Sequence, residues 1–305
     1  MGAEIDKSEH TAVSKVRAAD LLRWRIERLR KKKDLSFRVP VYDRIDNQFI
    51  KTNRTESAIT WIGHCTFLIQ IGGLNIVTDP VWASRMGLET RLAEPGISIG
   101  EMPEIDMVLV SHNHYDHLDF ASIARLPGKP VYLVPEGLGQ LFKKKGYNDV
   151  QEFSWWDERV HRELKITFLP SLHWSRRGLR DINASLWGGW MIEYNGVAIY
   201  FVGDSGYYHG FELIGKRYKI DYVLMPIGAY EPEWFMANQH MTPEEAVKAY
   251  TELNAGMFIP MHYDAFRLAD DTPQEALLRV RAAWEQQQLD PNRLHTMALG
   301  ETLRV

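Results

Sequence analysis

The chain has 305 residues, 45% hydrophobic and 25% charged, a balance typical of soluble globular proteins and unlike that of disordered, collagen-like or coiled-coil chains. Its formal charge of −4 argues against a general nucleic-acid binder, and its one cysteine, Cys65, rules out an internal disulfide and a cysteine-only zinc site. The first twenty residues lack the apolar core of a secretory leader, and no run reaches the roughly 18 apolar residues that span a bilayer, so a cytoplasmic protein is expected.

Residues 1–14 read as disordered. Residues 15–33 hold nine Lys/Arg and two acids, net +7, which leaves the rest of the chain near −11. Ala19, Leu22, Ile26 and Leu29 recur at helical spacing, with Arg23, Glu27, Arg28 and Arg30 turned elsewhere. The stretch is therefore expected to form a basic amphipathic helix. Its stripe either packs on the body of the protein or rests on an anionic membrane, where each cation contributes about 1 kcal/mol. Packing on the body is the simpler expectation.

Residues 34–57 read as an irregular connector, so the chain divides into an N-terminal part, 1–57, and one domain, 58–305. AITWIG, CTFLIQI and LNIVTD form a strand series with a turn at Gly72-Gly73. DMVLV (106–110) is a short apolar strand, and a helix is expected to begin near Asp119. VYLV (131–134), KITFL, SLWGGWMIEY, VAIYFV, DYVLMPI (221–227) and MFIPM (257–261) are further strands. EGLGQLFKKK (136–145) reads as a helix. Thr242-Pro243 with Glu245, and Thr272-Pro273 with Glu275, each predict a capping box at the start of a helix. LHTMALG closes the chain as a strand. Many short strands followed by strand–helix alternation predict two sheets with outer helices.

The chemistry concentrates in SHNHYDHLD (111–119), directly after the strand DMVLV. His112, His114, Asp116 and His117 leave an abrupt strand end and can converge on one small volume. Imidazole nitrogen and carboxylate oxygen suit Zn²⁺, and also Fe²⁺ or Mn²⁺. Four such groups are too many for one catalytic metal that keeps an open position. A second metal requires more ligands at other strand ends, and His173, Asp204 and His262 stand there, after KITFLPSL, VAIYFVG and MFIPM. Without cations, so many clustered ionisable groups would repel one another and lose solvation.

HxHxDH followed by single His, Asp and His at strand ends resembles the metallo-β-lactamase superfamily. The stretches 60–82, 105–119, SWWD (154–157), LPSLHWSRR (169–177), GDSGY (203–207) and PIGAYEPEWFMANQHMTPEEA (226–246) resemble the branch containing N-acylphosphatidylethanolamine-hydrolysing phospholipase D. Residues 83–102 depart from that branch's pattern and are expected near the mouth of the site. The resemblance implies a four-layer αβ/βα sandwich of mixed α+β and α/β character, with a dinuclear zinc site at one sheet edge. By position, His112, His114 and His173 would hold the first ion, Asp116, His117 and His262 the second, and Asp204 would bridge them. The superfamily places a carboxylate at Asp79 behind a metal-binding histidine.

The implied reaction is that of a phosphodiesterase of phospholipase D type, in which water activated between two metals attacks phosphorus. Asp116 and His240 are the expected catalytic residues; His240 would hydrogen-bond the phosphoryl group or help protonate the leaving alkoxide. Tyr230, Glu231 and Trp234 are candidate substrate contacts. His64 and Cys65 are read as structural. A phospholipid or small amphiphilic phosphodiester is the expected partner, peripheral membrane contact through residues 15–33 accords with it, and the resemblance adds a homodimer. Nucleic acid is not expected. A lactonase or other carbonyl-attacking hydrolase of the same fold, and a non-catalytic metal-binding protein, remain open alternatives.

Overall fold

A computed structural model of the protein describes residues 18–305. The first half contains α1 (Ala18–Arg30), α2 (Asn47–Thr52), β1 (Ala58–Gly63), β2 (Thr66–Ile71), β3 (Leu74–Thr78), β4 (Arg85–Met86), β5 (Glu89–Thr90), β6 (Ile105–Leu109), α3 (Phe120–Ile123), β7 (Gly128–Pro135), α4 (Gly139–Lys144) and β8 (Val150–Phe153). The second half adds β9 (Glu158–His161), β10 (Leu164–Leu169), β11 (Gly189–Tyr194), β12 (Val197–Phe201), α5 (Gly210–Arg217), β13 (Tyr222–Pro226), α6 (Glu233–Met236), α7 (Pro243–Leu253), β14 (Met257–Met261), α8 (Pro273–Gln286) and β15 (Thr302–Arg304).

One sheet runs β15-β1-β2-β3-β6-β7-β8 and the other β14-β13-β12-β11-β10-β9. Side chains alternate across each strand, and in the first sheet the two buried clusters follow that alternation. Ile59, Trp61, Phe67, Ile69, Ile76 and Leu109 of the first sheet meet Phe168, Trp190, Ile192 and Phe201 of the second in one core. The opposite face of the first sheet, through Leu68, Val77 and Val108, packs on Ile50 of α2, Ile123 of α3 and Phe142 of α4. Helices α5, α7 and α8 cover the second sheet through Phe211, Val247 and Val280. The result is the expected sandwich, with two sheets inside and helices on both outer faces. Both expected capping boxes are formed, at Thr242/Glu245 and Thr272/Glu275.

Strand direction decides where chemistry can collect. Strands β3 and β6 are parallel, and β1 shares their direction because two antiparallel steps separate it from β3. Strands β12, β13 and β14 are parallel, and β10 runs with β12 by the same two-step argument. The residues that follow β1, β3, β6, β10, β12 and β14 are thereby delivered to one edge of the sandwich, the usual place for ligands in sheets of parallel strands.

Several expectations are corrected. LHTMALG is not a strand: only Leu294 and Leu299 make isolated bridges, and Gly300, at φ +81°, redirects the chain so that Thr302–Arg304 forms the edge strand beside β1. The connector 34–57 contains α2, capped by the Asp46 side chain, and buries Val39 and Ile50 in the two main cores, so it is built into the domain. Strand β9 had no legible signal because all four of its residues are exposed. The stretch 1–14, read as disordered, lies outside the described residues.

The largest correction concerns α1. It packs on the body with the face opposite its apolar stripe. Trp24 stacks on Phe235 at 5.4 Å and its indole N–H donates to Asp270 at 3.1 Å. Arg28 reaches Glu89 of β5 at 2.9 Å and the Arg267 carbonyl at 3.1 Å. Leu22, Ile26 and Leu29 face away from the protein and are exposed. Aromatic stacking and buried charge pairing outcompete the aliphatic stripe for the available surface.

Candidate metal centre

The sharp chain reversals at this edge need unusual backbone. Asp79, His64 and His262 all take positive φ, at 33°, 55° and 64°, a rare and costly state for side chains of this size that concentrates at functional sites. Gly203 has φ +68°, and a Cβ there would lie 2.6 Å from the Gly188 carbonyl and 2.9 Å from Ser111 Cβ. Glycine at 203 therefore lets the loop after β12 close on the loop after β6, bringing Asp204 against the histidines.

His112, His114 and His173 converge: His112 Nε2 lies 2.9 Å from His114 Nδ1, which lies 3.3 Å from His173 Nε2. Asp116, His117, Asp204 and His262 form a second group whose ligand-type atoms all lie within 4.8 Å of one another. Asp204 joins the two. Its Oδ2 is 3.9 Å from His112, 3.7 Å from His173 and 3.1 Å from His117, while its Oδ1 is 3.2 Å from His262. All seven side chains named from the sequence meet in one cluster.

The backs of two rings, His117 and His173, are held. Asp79 accepts from the Ser111 N–H at 2.7 Å and the Ser111 hydroxyl at 2.6 Å, and lies 2.7 Å from His117 Nδ1. His173 Nδ1 donates to the Gln239 carbonyl at 2.9 Å. Those contacts fix the tautomers and turn Nε2 of both rings inward. The inward atoms His117 Nε2, His262 Nε2 and Asp204 Oδ1 are buried and find no hydrogen-bond partner among the described residues. Buried polar atoms in a native fold are normally satisfied. A mixed nitrogen–oxygen donor set with its converging atoms unsatisfied fits a divalent metal pair.

The proton balance of the metal-free cluster agrees. Burial pushes His112 and His173 well below the ordinary imidazole range, and His114 down to about 4. Burial also presses on His117 and His262, but Asp204 and Asp116 outweigh it, lifting His117 well above its usual value and His262 to about 9. Conversely, burial opposes ionisation of Asp116 and Asp204, yet His117 and His262 hold both far below the usual carboxylate range. Positive charge is thus favoured at His117 and His262, where the two carboxylates face them.

His240 also reaches the cluster. Its Nδ1 is buried without a hydrogen-bond partner among the described residues and lies 3.9 Å from Asp204 Oδ2, and burial lowers its pKa to about 4. His64, read from the sequence as structural, lies inside the site as well. Its Nε2 is 3.1 Å from Asp116 Oδ2, its ring is 4.3 Å from that of His262, and its backbone N–H donates to Asp264 at 2.7 Å. Its position just after an apolar strand was the same signal that marked His173 and His262. Cys65 is fully buried beside it, as expected.

A cleft of about 850 Å³ opens over this floor, and His114 and Asp116 of the cluster line it. Its walls include Tyr115, Trp174 and Arg176 on one side and Arg85, Met86 and Gly87 on the other. The departing segment 83–102 thus does form part of the mouth. Tyr230, Glu231 and Trp234 are not brought there. Tyr230 is buried with the Arg279 guanidinium 4.6 Å from its ring, Glu231 pairs with Lys33 at 3.0 Å, and Trp234 packs under Arg23 of α1. They hold α1 and α8 to the body, away from the residues that line the cleft. Arg177 was missed: it donates to the carbonyls of Asn113 and Leu118, bracing the loop that carries His114, Asp116 and His117.

Residues 74–263 match the family model described as a beta-lactamase superfamily domain. An uncharacterized protein of Mycobacterium tuberculosis is 36% identical over 75% of this chain and 64% of its own, so the chain spans just under two-thirds of that relative's length. The N-acyl-phosphatidylethanolamine-hydrolyzing phospholipase D 1 of Caenorhabditis elegans is 34% identical over 77% of this chain and 71% of its own. Among solved structures, Igni18, a metallo hydrolase from Ignicoccus hospitalis, superposes with a TM-score of 0.64 at 23% identity, over 82% of this chain and 99% of that one. The chain belongs to the metallo-β-lactamase superfamily, alongside the N-acylphosphatidylethanolamine-hydrolysing phospholipases D.

Proposed function

We propose that the protein is a dinuclear zinc hydrolase that cleaves a phosphodiester of phospholipase D type, in N-acylphosphatidylethanolamine or a close relative. The observation that carries the reading is the bridging placement of Asp204 between two histidine groups, in a chain 34% identical to a phospholipase D of that name. His112, His114 and His173 would hold one ion, Asp116, His117 and His262 the other, with Asp204 shared. When bound, the pair would supply an acidified water and positive charge against the phosphoryl oxygens.

The protein's own groups do the rest. Asp79 and the Gln239 carbonyl keep two rings oriented, and His64 steadies the Asp116 carboxylate. His240 is neutral near pH 7 because of its burial, so it can donate one N–H to a phosphoryl oxygen without bringing a net charge. The cleft suits an amphiphile: Trp174, Met86 and Leu179 offer apolar surface, and Arg85 and Arg176 offer cations to the phosphatidyl part.

The test is a substrate panel on the zinc-loaded full chain. N-acylphosphatidylethanolamine in mixed micelles should yield phosphatidic acid and an N-acylethanolamine, and bis(p-nitrophenyl) phosphate should be hydrolysed slowly. Turnover of lactones with neither phosphodiester touched would replace this reading with carbonyl chemistry.

A further inference from the structure

We propose that α1 is a membrane-docking element that seats the cleft mouth on an anionic phospholipid bilayer. The proposal concerns a surface and its partner and does not depend on which bond the site cleaves.

The helix is amphipathic in an inverted sense. One face, carrying Trp24, Glu27 and Arg28, is spent on the protein. The opposite face carries Leu22, Ile26 and Leu29, which are 61%, 42% and 86% exposed. At 100° per residue these three fall within one narrow sector, and Trp24 and Glu27 fall on the far side. A stripe left outward by a helix already anchored through its other face is surplus to folding.

Charge selects the occupant. Arg25 and Arg30 flank the stripe, and Lys31 and Lys32 follow it, all exposed. The acid Glu27 is turned to the protein side, where it pairs with Arg23 and accepts from Trp234. Cations bordering an aliphatic stripe match an interface with acyl chains below and anionic headgroups around. A second copy of this chain would have to bring like cations together across the stripe.

The docking face is continuous with the cleft. Arg28 ties α1 to Glu89 of β5, and the β4–β5 hairpin supplies Arg85, Met86 and Gly87 to the cleft wall. The hairpin tip, Leu88, is 92% exposed. On the facing lip Leu179 lines the cleft and is 87% exposed, with Arg180 beside it. An amphiphile leaving a bilayer would enter between these lips without crossing water.

The test is co-sedimentation of the full chain with vesicles of phosphatidylcholine alone and of phosphatidylcholine mixed with phosphatidylglycerol. Binding should require phosphatidylglycerol and weaken as salt is raised. The triple variant Leu22→Ser, Ile26→Ser, Leu29→Ser should lower the bound fraction by at least about tenfold. Its thermal unfolding, and its turnover of whichever soluble substrate the parent hydrolyses, should be unchanged, because among the described residues the stripe belongs to neither core nor cleft. Equal binding of the triple variant and the parent, or equal binding to both vesicle types, would overturn the proposal. So would sedimentation equilibrium showing that the three serines convert a dimer to a monomer while vesicle binding persists.

Discussion

At the floor of the cleft His112, His117, His173, Asp204 and His262 are buried at strand ends, and Ser111, Asp79 and the Gln239 carbonyl hold His112, His117 and His173 from behind. At the mouth, Leu88 and Leu179 stand on loops with almost no protein contact, and Arg85 and Arg180 are exposed. The floor fixes a reaction, because its geometry depends on six strands ending at one edge. The mouth fixes a substrate, because nothing in the core constrains what those loops carry. Changes to the floor should therefore alter metal content or turnover on every substrate, and changes to the mouth should discriminate between substrates.

Removing the bridge should have the largest effect. Asp204→Ala takes from both histidine groups the one carboxylate they share, so zinc measured by plasma emission should fall below one ion per chain. Phosphodiester turnover should drop by at least about 10³-fold, more than the loss of a single charge-stabilising donor costs. His240→Gln comes next. It should keep the full metal content and lose about 10²-fold or more in kcat, in the range of a proton-handling or hydrogen-bonding side chain. Unchanged kcat in that variant would remove His240 from the mechanism.

Asp79→Asn keeps the shape but replaces a carboxylate behind His117 with a neutral amide. Zinc affinity measured against a chelator should weaken by about 10–100-fold. The same competition run at several pH values gives a graded effect. His117 and His262 carry protons in the metal-free protein, with His262 held at about 9, and a ligand must shed its proton to bind metal. Affinity should thus rise with pH between 6 and 8. A flat profile would mean that these two rings are neutral before metal arrives. The smallest effect belongs to the mouth: Trp174→Ala should raise KM for the N-acyl phospholipid by about tenfold or less and leave bis(p-nitrophenyl) phosphate untouched.

The same contrast explains what could be read from the sequence. The candidate ligands were legible because each is a polar side chain placed just after an apolar run, and such runs in this chain form buried strands. Strand direction was not legible, and that is why the place of His64 could not be read: only the antiparallel steps from β1 to β3 show that β1 ends at the working edge. Tyr230, Glu231 and Trp234 were misplaced for a different reason. Similarity in a loop conserves its packing as well as its contacts with substrate, and here the packing partners are Arg279, Lys33 and Arg23. The helix α1 was legible as amphipathic, but periodicity cannot say which face the protein takes. Trp24 and Arg28 decided that through stacking and ion pairing that no hydrophobic count registers.

Metal stoichiometry tests the account most directly. Native mass spectrometry of the full chain, stripped with chelator and titrated with zinc, should show two ions bound per folded chain, and the His173→Ala variant should retain no more than one. Saturation of the parent at one ion or none, with the fold intact by circular dichroism, would contradict it.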